Sequence, residues 1–142
     1  MAPIIIEKKL PASTTPEAVI AVLHDHEQMI KCLSPQYIDS KLDEGDPATK
    51  ATYSVTDKKP IGTTTYKLTL TNHADGVDTL VNAKPPVGTL TISGKWRVVD
   101  GTLKEEAEID GNMLTKKMAT GNLNKTHPEA MDLIFQNAAK TG

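Results

Sequence analysis

The sequence is short of aromatic side chains, of cysteine and of arginine, and each shortage excludes something. Only five of its 142 residues are aromatic: Tyr37, Tyr53, Tyr66, Trp96 and Phe135. A core of this size must therefore be assembled mainly from Ile, Leu, Val, Ala and Met. The single cysteine, Cys32, excludes an internal disulfide framework and any zinc site built from several thiolates. Of 16 basic residues only Arg97 is arginine, so forked recognition of phosphate or carboxylate is thinly supplied. A formal charge of −2 offers no reason to expect a nucleic-acid partner. Apolar runs such as Ile4-Ile5-Ile6 fall far short of the ~20 residues a membrane-spanning helix needs. The N-terminus has neither a basic n-region nor a useful h-region, which reads as no secretory signal and a soluble, cytoplasmic protein. No G-x-S-x-G, P-loop or dinucleotide fingerprint occurs, so hydrolase, kinase and dehydrogenase readings fall away.

What is abundant is threonine, with 18 residues concentrated between Thr49 and Thr102. Thr is β-branched and favours half-exposed strands, so the middle of the chain reads as antiparallel sheet. The length suits a single domain, residues 1–142.

Residues 3–10 suit a first strand ending at Pro11. Thr14 with Glu17 three residues on, and Pro16 between, reads as a capping box opening a helix. Asp25 with Gln28 repeats the signal, which predicts two short helices, 16–24 and 26–33, stopped by Ser34-Pro35. From Tyr37 to Ile109 the period is two. Tyr53, Val55 and Asp57 share one face; Tyr66, Leu68 and Leu70 alternate with polar residues; so do Leu90, Ile92, Gly94, Trp96 and Val98. Gly94 within that face suggests a bulge or bend. Asp75-Gly76 and Asp100-Gly101 read as hairpin turns. Pro85-Pro86 interrupts the run at 77–92 and points to a short or edge strand before it. Leu103, Glu105, Ala107 and Ile109 form the inner face of the last strand. Leu123, His127, Met131, Ile134 and Ala138 make a helical stripe, with Thr126, Pro128 and Glu129 suited to a helix start. Residues 113–118 fit either one more strand after Asp110-Gly111 or helix.

A sheet with one apolar face needs a cover, and a long helix laid across it supplies one while leaving room for a ligand. The fold class is thus α+β. The order of motifs resembles the helix-grip fold of the START-like, polyketide-cyclase-like superfamily, in particular a fungal branch of mostly uncharacterised single-domain proteins. The residues that carry the resemblance are Leu23-His24-Asp25-His26, Met29-Ile30, Ser34-Pro35, Tyr53 to Asp57 and Gly62 to Tyr66. Asp75 to Asp78, Gly88 to Trp96-Arg97-Val98, Leu103 with Glu105-Glu106, and Leu123, Thr126-His127 and Met131 complete it. The chain departs from the family where Leu33-Ser34-Pro35-Gln36 replaces its usual Asn-Pro-Leu. The resemblance implies about six to seven curved antiparallel strands, two short helices after the first strand, and a long terminal helix over a ligand cavity. It favours helix at 113–120, with a kink near Gly121. It also implies hydrophobic small-molecule partners, no cofactor, and either ring-closing catalysis on a polyene, terpenoid or polyketide or simple binding of a lipid- or sterol-like molecule. An intramolecular Diels–Alder cycloaddition is one such ring closure, because it needs only a shaped apolar pocket and one donor on an activating carbonyl.

The candidate catalytic residues are Glu105, Tyr66 and Trp96. Alternation turns Glu105 inward, where a desolvated carboxyl could serve as a proton donor. A one-residue bulge would instead return it to solvent. Tyr66, Tyr53 and Trp96 fall on inward faces and can offer O–H or N–H to a ligand oxygen, or else pack plainly. The ligand-binding candidates are His26, Met29, Tyr53, Leu68, Ile92, Met118, Met131 and Phe135, for which core filling is the competing reading. His24 and His26 diverge on a helix and lack a converging third ligand, so no metal is expected. Asp25 reads most simply as a helix cap. Cys32 has no partner for nucleophilic chemistry in view. Oligomeric state has no signature in the sequence.

Overall fold

The computed structural model describes residues 3–84 and 88–141, Thr141 without its side chain. Seven strands, β1 (Ile4–Lys9), β2 (Tyr37–Asp46), β3 (Lys50–Lys58), β4 (Thr63–His73), β5 (Gly76–Ala83), β6 (Leu90–Val99) and β7 (Thr102–Asp110), form one antiparallel sheet. Helices α1 (Pro16–His24) and α2 (His26–Leu33) follow β1, and α3 (Met113–Thr141) closes the chain. The strand order is β1-β7-β6-β5-β4-β3-β2, so every pair but one is a sequential hairpin and β1 returns to lie against β7.

The local reasons are legible. Asp100 and Gly101 have φ of 52° and 73°, the two positive values that a type I′ two-residue turn requires between Val99 and Thr102. Asp25 ends α1 and caps α2: its Oδ1 accepts from the Gln28 N–H, and Gln28 Nε2 donates to its Oδ2 at 2.7 Å. At the start of α1 the cap is Thr15, not Thr14. Thr15 Oγ1 accepts from the Ala18 N–H, while the Thr14 hydroxyl donates to the Pro11 carbonyl. The cap slips by one residue because Pro16 takes the first helical position, where its missing N–H costs nothing.

Three further expectations are corrected. Residues 113–118 are helix, as the resemblance implied, but α3 runs unbroken through Thr126, Pro128 and Glu129, so the helix start expected there does not occur. The Thr126 hydroxyl instead donates to the Asn122 carbonyl one turn back. The strand before the prolines is not an edge: β5 pairs with β4 and β6 along its length. The Pro85-Pro86 interruption itself lies outside the described residues. The β6–β7 register runs without a shift through Gly94, so Gly94 marks no bulge.

The core lies between one face of the sheet and the helices. Leu68, Leu70, Val77, Trp96 and Leu103 from the sheet meet Val19, Leu23, Met29 and Ile30 from α1 and α2, and Met131, Ile134 and Phe135 from α3. α3 is unevenly used. Its second half buries Leu123, Ala130, Met131, Ile134, Phe135 and Ala138, whereas residues 113–122 bury nothing. The two halves of the molecule therefore differ: one end of the grip is closed, the other open.

Candidate functional site

The period of two along β6 and β7 puts Trp96 directly across from Glu105, and Gly94 across from Ala107, on the inner face. Above them, the helical stripe Thr120, Leu123 and His127 runs along α3. His127 Nδ1 lies 2.6 Å from Glu105 Oε1, and its ring is 5.5 Å from that of Trp96. With Nδ1–H donating, the carboxylate holds the imidazole at a fixed tautomer and angle. Glu105 is fully buried, which excludes the bulge that would have returned it to water; the His127 side chain keeps 16% exposure.

Two polar atoms in this cluster have no hydrogen-bond partner although both are buried: Glu105 Oε2 and Trp96 Nε1. Leaving such a group unpaired costs about 1–3 kcal/mol, so its retention needs a reason. Gly94, with no side chain, leaves room for these atoms themselves. A Cβ at that position would lie 2.7 Å from Glu105 Oε2, 2.8 Å from Thr79 Oγ1 and 3.3 Å from Trp96 Nε1. A β-carbon would occupy the nook into which these atoms converge.

Beside it, an open cleft of about 440 Å³ lies under the first turns of α3, with Ile4, Thr91, Ala107, Ile109, Lys116 and Thr120 among its walls. Ala107 is both a wall of this cleft and the cross-strand neighbour of Gly94. The sheet floor between cleft and nook is therefore made of small residues. Ile92, opposite Ile109 on the same floor, is partly buried.

Tyr66 does not join Glu105 and Trp96. Its hydroxyl is hydrogen-bonded to Ser34 Oγ. The registers explain the separation: Trp96 faces Val77 and Val77 faces Asn72, six residues along β4 from Tyr66, or roughly 20 Å of strand. Burial pushes the Tyr66 phenol up to about 12 and raises the nearby Asp57 carboxyl, whose Oδ1 is also buried without a partner.

His26 and Tyr53 form a separate network around a second cleft of about 670 Å³, beside the α1–α2 junction and the β2–β3 edge. Asn72 Nδ2 donates to the Ala48 carbonyl, which turns its Oδ1 toward His26 Nε2–H at 2.8 Å. His26 Nδ1 then accepts from the Tyr53 hydroxyl at 2.9 Å. Burial holds His26 below its ordinary value, in the neutral form this chain of bonds requires. His24 points elsewhere, its Nε2 against the His73 and Gly76 carbonyls.

Met29, Leu68, Met131 and Phe135 belong to the continuous core, and packing accounts for them. Met118 is 68% exposed and lines neither cleft, because the part of α3 that carries it buries no side chain. Two participants were not singled out from sequence: His127, and Thr79 beside the nook. The signal for His127 was a titratable residue on an apolar helical stripe that had to face an inward carboxylate. Among the described residues no group of three or more His, Cys, Asp and Glu is placed to hold a metal ion. None of their helices is long and apolar enough to cross a membrane.

The fold is shared with solved structures of low sequence identity. A conserved protein from Geobacillus kaustophilus superposes with a TM-score of 0.68 at 18% identity, over 96% of this chain and 93% of that one. Ara h 8.0201 gives 0.65 at 12% identity, over 97% and 99%. The Zhui aromatase/cyclase from Streptomyces sp. R1128 gives 0.65 at 9%, over 96% and 93%. This is the helix-grip architecture. No curated protein matches the sequence. Residues 4–140 match the domain of unknown function DUF7053, and the chain belongs to that family.

Proposed function

We propose that the protein is a cofactor-free cyclase, which takes a hydrophobic polyene, terpenoid or polyketide intermediate into the cleft under α3 and promotes ring closure. The observation that carries this reading is the buried Glu105–His127 pair, with a vacant carboxylate oxygen beside the Trp96 N–H. A fixed carboxylate–imidazole pair is an acid–base device, and a buried, unpartnered N–H is suited to polarising a carbonyl. Ring closure by isomerisation is balanced without a co-reactant: the proton taken at one substrate atom is returned at another. A Diels–Alder closure would use less of the site, namely the shape of the cleft and the Trp96 donor on an activating carbonyl. Structural neighbours named as aromatase/cyclases make this chemistry a natural use of the fold, though fold alone does not assign it.

A second reading, a carrier that binds a lipid- or sterol-like molecule unchanged, is favoured by one observation. Neither Glu105 nor Trp96 lines the cleft of about 440 Å³ itself.

The test supplies purified protein to a metabolite extract from cells lacking the gene. On the cyclase reading, one compound gives way to an isomer of equal mass, and Glu105→Gln leaves it unconverted. A compound retained by the protein but never converted would establish the carrier.

A further inference from the structure

We infer that the nook at Gly94 is built for a ligand hydroxyl, so that the molecule entering the grip is an alcohol, enol or phenol that leads with its O–H. This rests on the reading of the cleft as a ligand site, and adds the polar group by which the ligand is held.

The argument is one of complementarity. The indole Nε1–H of Trp96 is a donor only and has no acceptor. Glu105 Oε1 is engaged by His127, so Oε2 remains as an acceptor without a donor. Thr79 Oγ1, which can play either part, converges on the same spot from β5. A hydroxyl oxygen accepts from the indole while its hydrogen goes to the carboxylate, satisfying both orphans with one atom pair. A ketone or ether oxygen would satisfy the indole and turn lone pairs on Oε2. A carboxylate would set anion against anion, and an ammonium would leave the indole unanswered. The nearest part of the cleft is its wall at Ala107, which lies across the strand from Gly94. The cleft walls are mixed, with Ile4, Ala107 and Ile109 beside Glu108, Asp110 and Lys116, and the ligand's hydroxyl is the group directed to the two orphaned atoms.

Because Trp96 is the only tryptophan, its indole N–H gives one unambiguous ¹⁵N–¹H signal. The whole protein is titrated with naphthalene, 1-methoxynaphthalene and 1-naphthol, which share a ring system and differ in what they offer the nook. We expect 1-naphthol to bind about tenfold tighter than naphthalene and to move the indole signal, with the methyl ether close to naphthalene; a site with buried polar groups rejects analogues lacking the matching group. In Trp96→Phe the advantage of 1-naphthol should shrink toward parity. If that variant does not fold, the ligand series on the native chain still decides.

Equal binding of all three, with the indole signal unmoved, overturns the hydroxyl inference and leaves the apolar-ligand reading standing. Tighter binding of the ether than of the phenol overturns it in favour of a carbonyl-type acceptor. An indole signal that reports only exchanging water and ignores all three probes assigns the nook to solvent and overturns the inference too. Failure of every probe to bind anywhere on the protein removes both the inference and the ligand site on which it rests.

Discussion

The two ends of the grip are made from the same strands and the same helix, yet only the second half of that helix buries side chains fully. Around α1, α2 and the second half of α3, the sheet meets Leu23, Met29, Met131 and Ile134 with no exposure left. Under the first half of α3, the same sheet presents partly buried Ile109 to an open cleft, and Met113, Leu114 and Met118 face solvent. Stability is concentrated in the first region and accessibility in the second. The Glu105–His127 pair stands at their boundary, the carboxylate fully buried and the imidazole side chain 16% exposed. That placement lets a costly, partly unsatisfied polar cluster persist without opening the core.

The largest effect should come from breaking the closed end. Ile134→Ala removes a fully buried side chain from the interface of α3 with the core and is expected to cost about 2–5 kcal/mol, read as a lowered urea midpoint at unchanged m. A loss under about 1 kcal/mol would mean that the closed end can collapse around the cavity, and the contrast between the two ends would be weaker than the burial pattern implies.

Next in size is Gly94→Ala at the boundary. The added Cβ would meet Glu105 Oε2 at 2.7 Å and Thr79 Oγ1 at 2.8 Å. Both belong to side chains held in a packed sheet, so the overpacking should cost about 1–3 kcal/mol, again read by denaturant unfolding. A neutral or stabilising result would show that Glu105 swings away freely, and that its contact with His127 is not fixed.

These two positions also show how far the sequence could be read. The closed end was legible because periodicity reports burial directly: Leu68, Leu70 and Trp96 alternate on strands, and Met131 and Ile134 repeat on a helix. Glu105 was legible for the same reason. The pairing of Glu105 with His127 was not, because it depends on how α3 is rotated over β7, and no local pattern encodes that angle. Gly94 shows the limit from the other side. A glycine in a strand has several physical causes, and the choice between a bulge and room for a neighbouring carboxylate lies in residues far along the chain. Tyr66 was grouped with Trp96 by face alone; the register, which sets distance along the sheet, is fixed by turns and pairing and separated them.

A third measurement probes the closed end from the His26 network. Burial depresses His26 below the ordinary histidine value of ~6.5, so between that value and its own pKa the unfolded chain binds more protons than the native one. Stability contributed by neutral His26 is therefore present above pH ~6.5 and lost as pH falls through the native value. Once protonated, Nδ1 can no longer accept from Tyr53. Urea midpoints should fall between about pH 7.5 and about pH 5.5, and His26→Gln should flatten that slope. Asp57 acts with the opposite sign. Its carboxyl is raised by burial, so its contribution is present below the ordinary value of ~3.9 and is lost as pH rises through the raised one. That window begins lower, and its slope runs opposite to the histidine's.

The smallest effect should be found at the open end, and its smallness is the point. Met118 is 68% exposed on a stretch of α3 that buries no residue. Met and Gln have nearly equal helix propensity, so Met118→Gln isolates packing from backbone preference. If the first half of α3 rests in solution as an uncommitted cover, the change should leave stability within about 0.5 kcal/mol of the parent, the ordinary range for surface substitutions. The same substitution in the closed half would cost several times more. A loss above about 1 kcal/mol at Met118 would show that this segment is packed against something in the free protein. The cleft would then be closed at rest, and ligand entry would require α3 to lift. The near-neutral outcome instead gives the grip one fixed jaw and one already open, with Glu105 and His127 at their boundary.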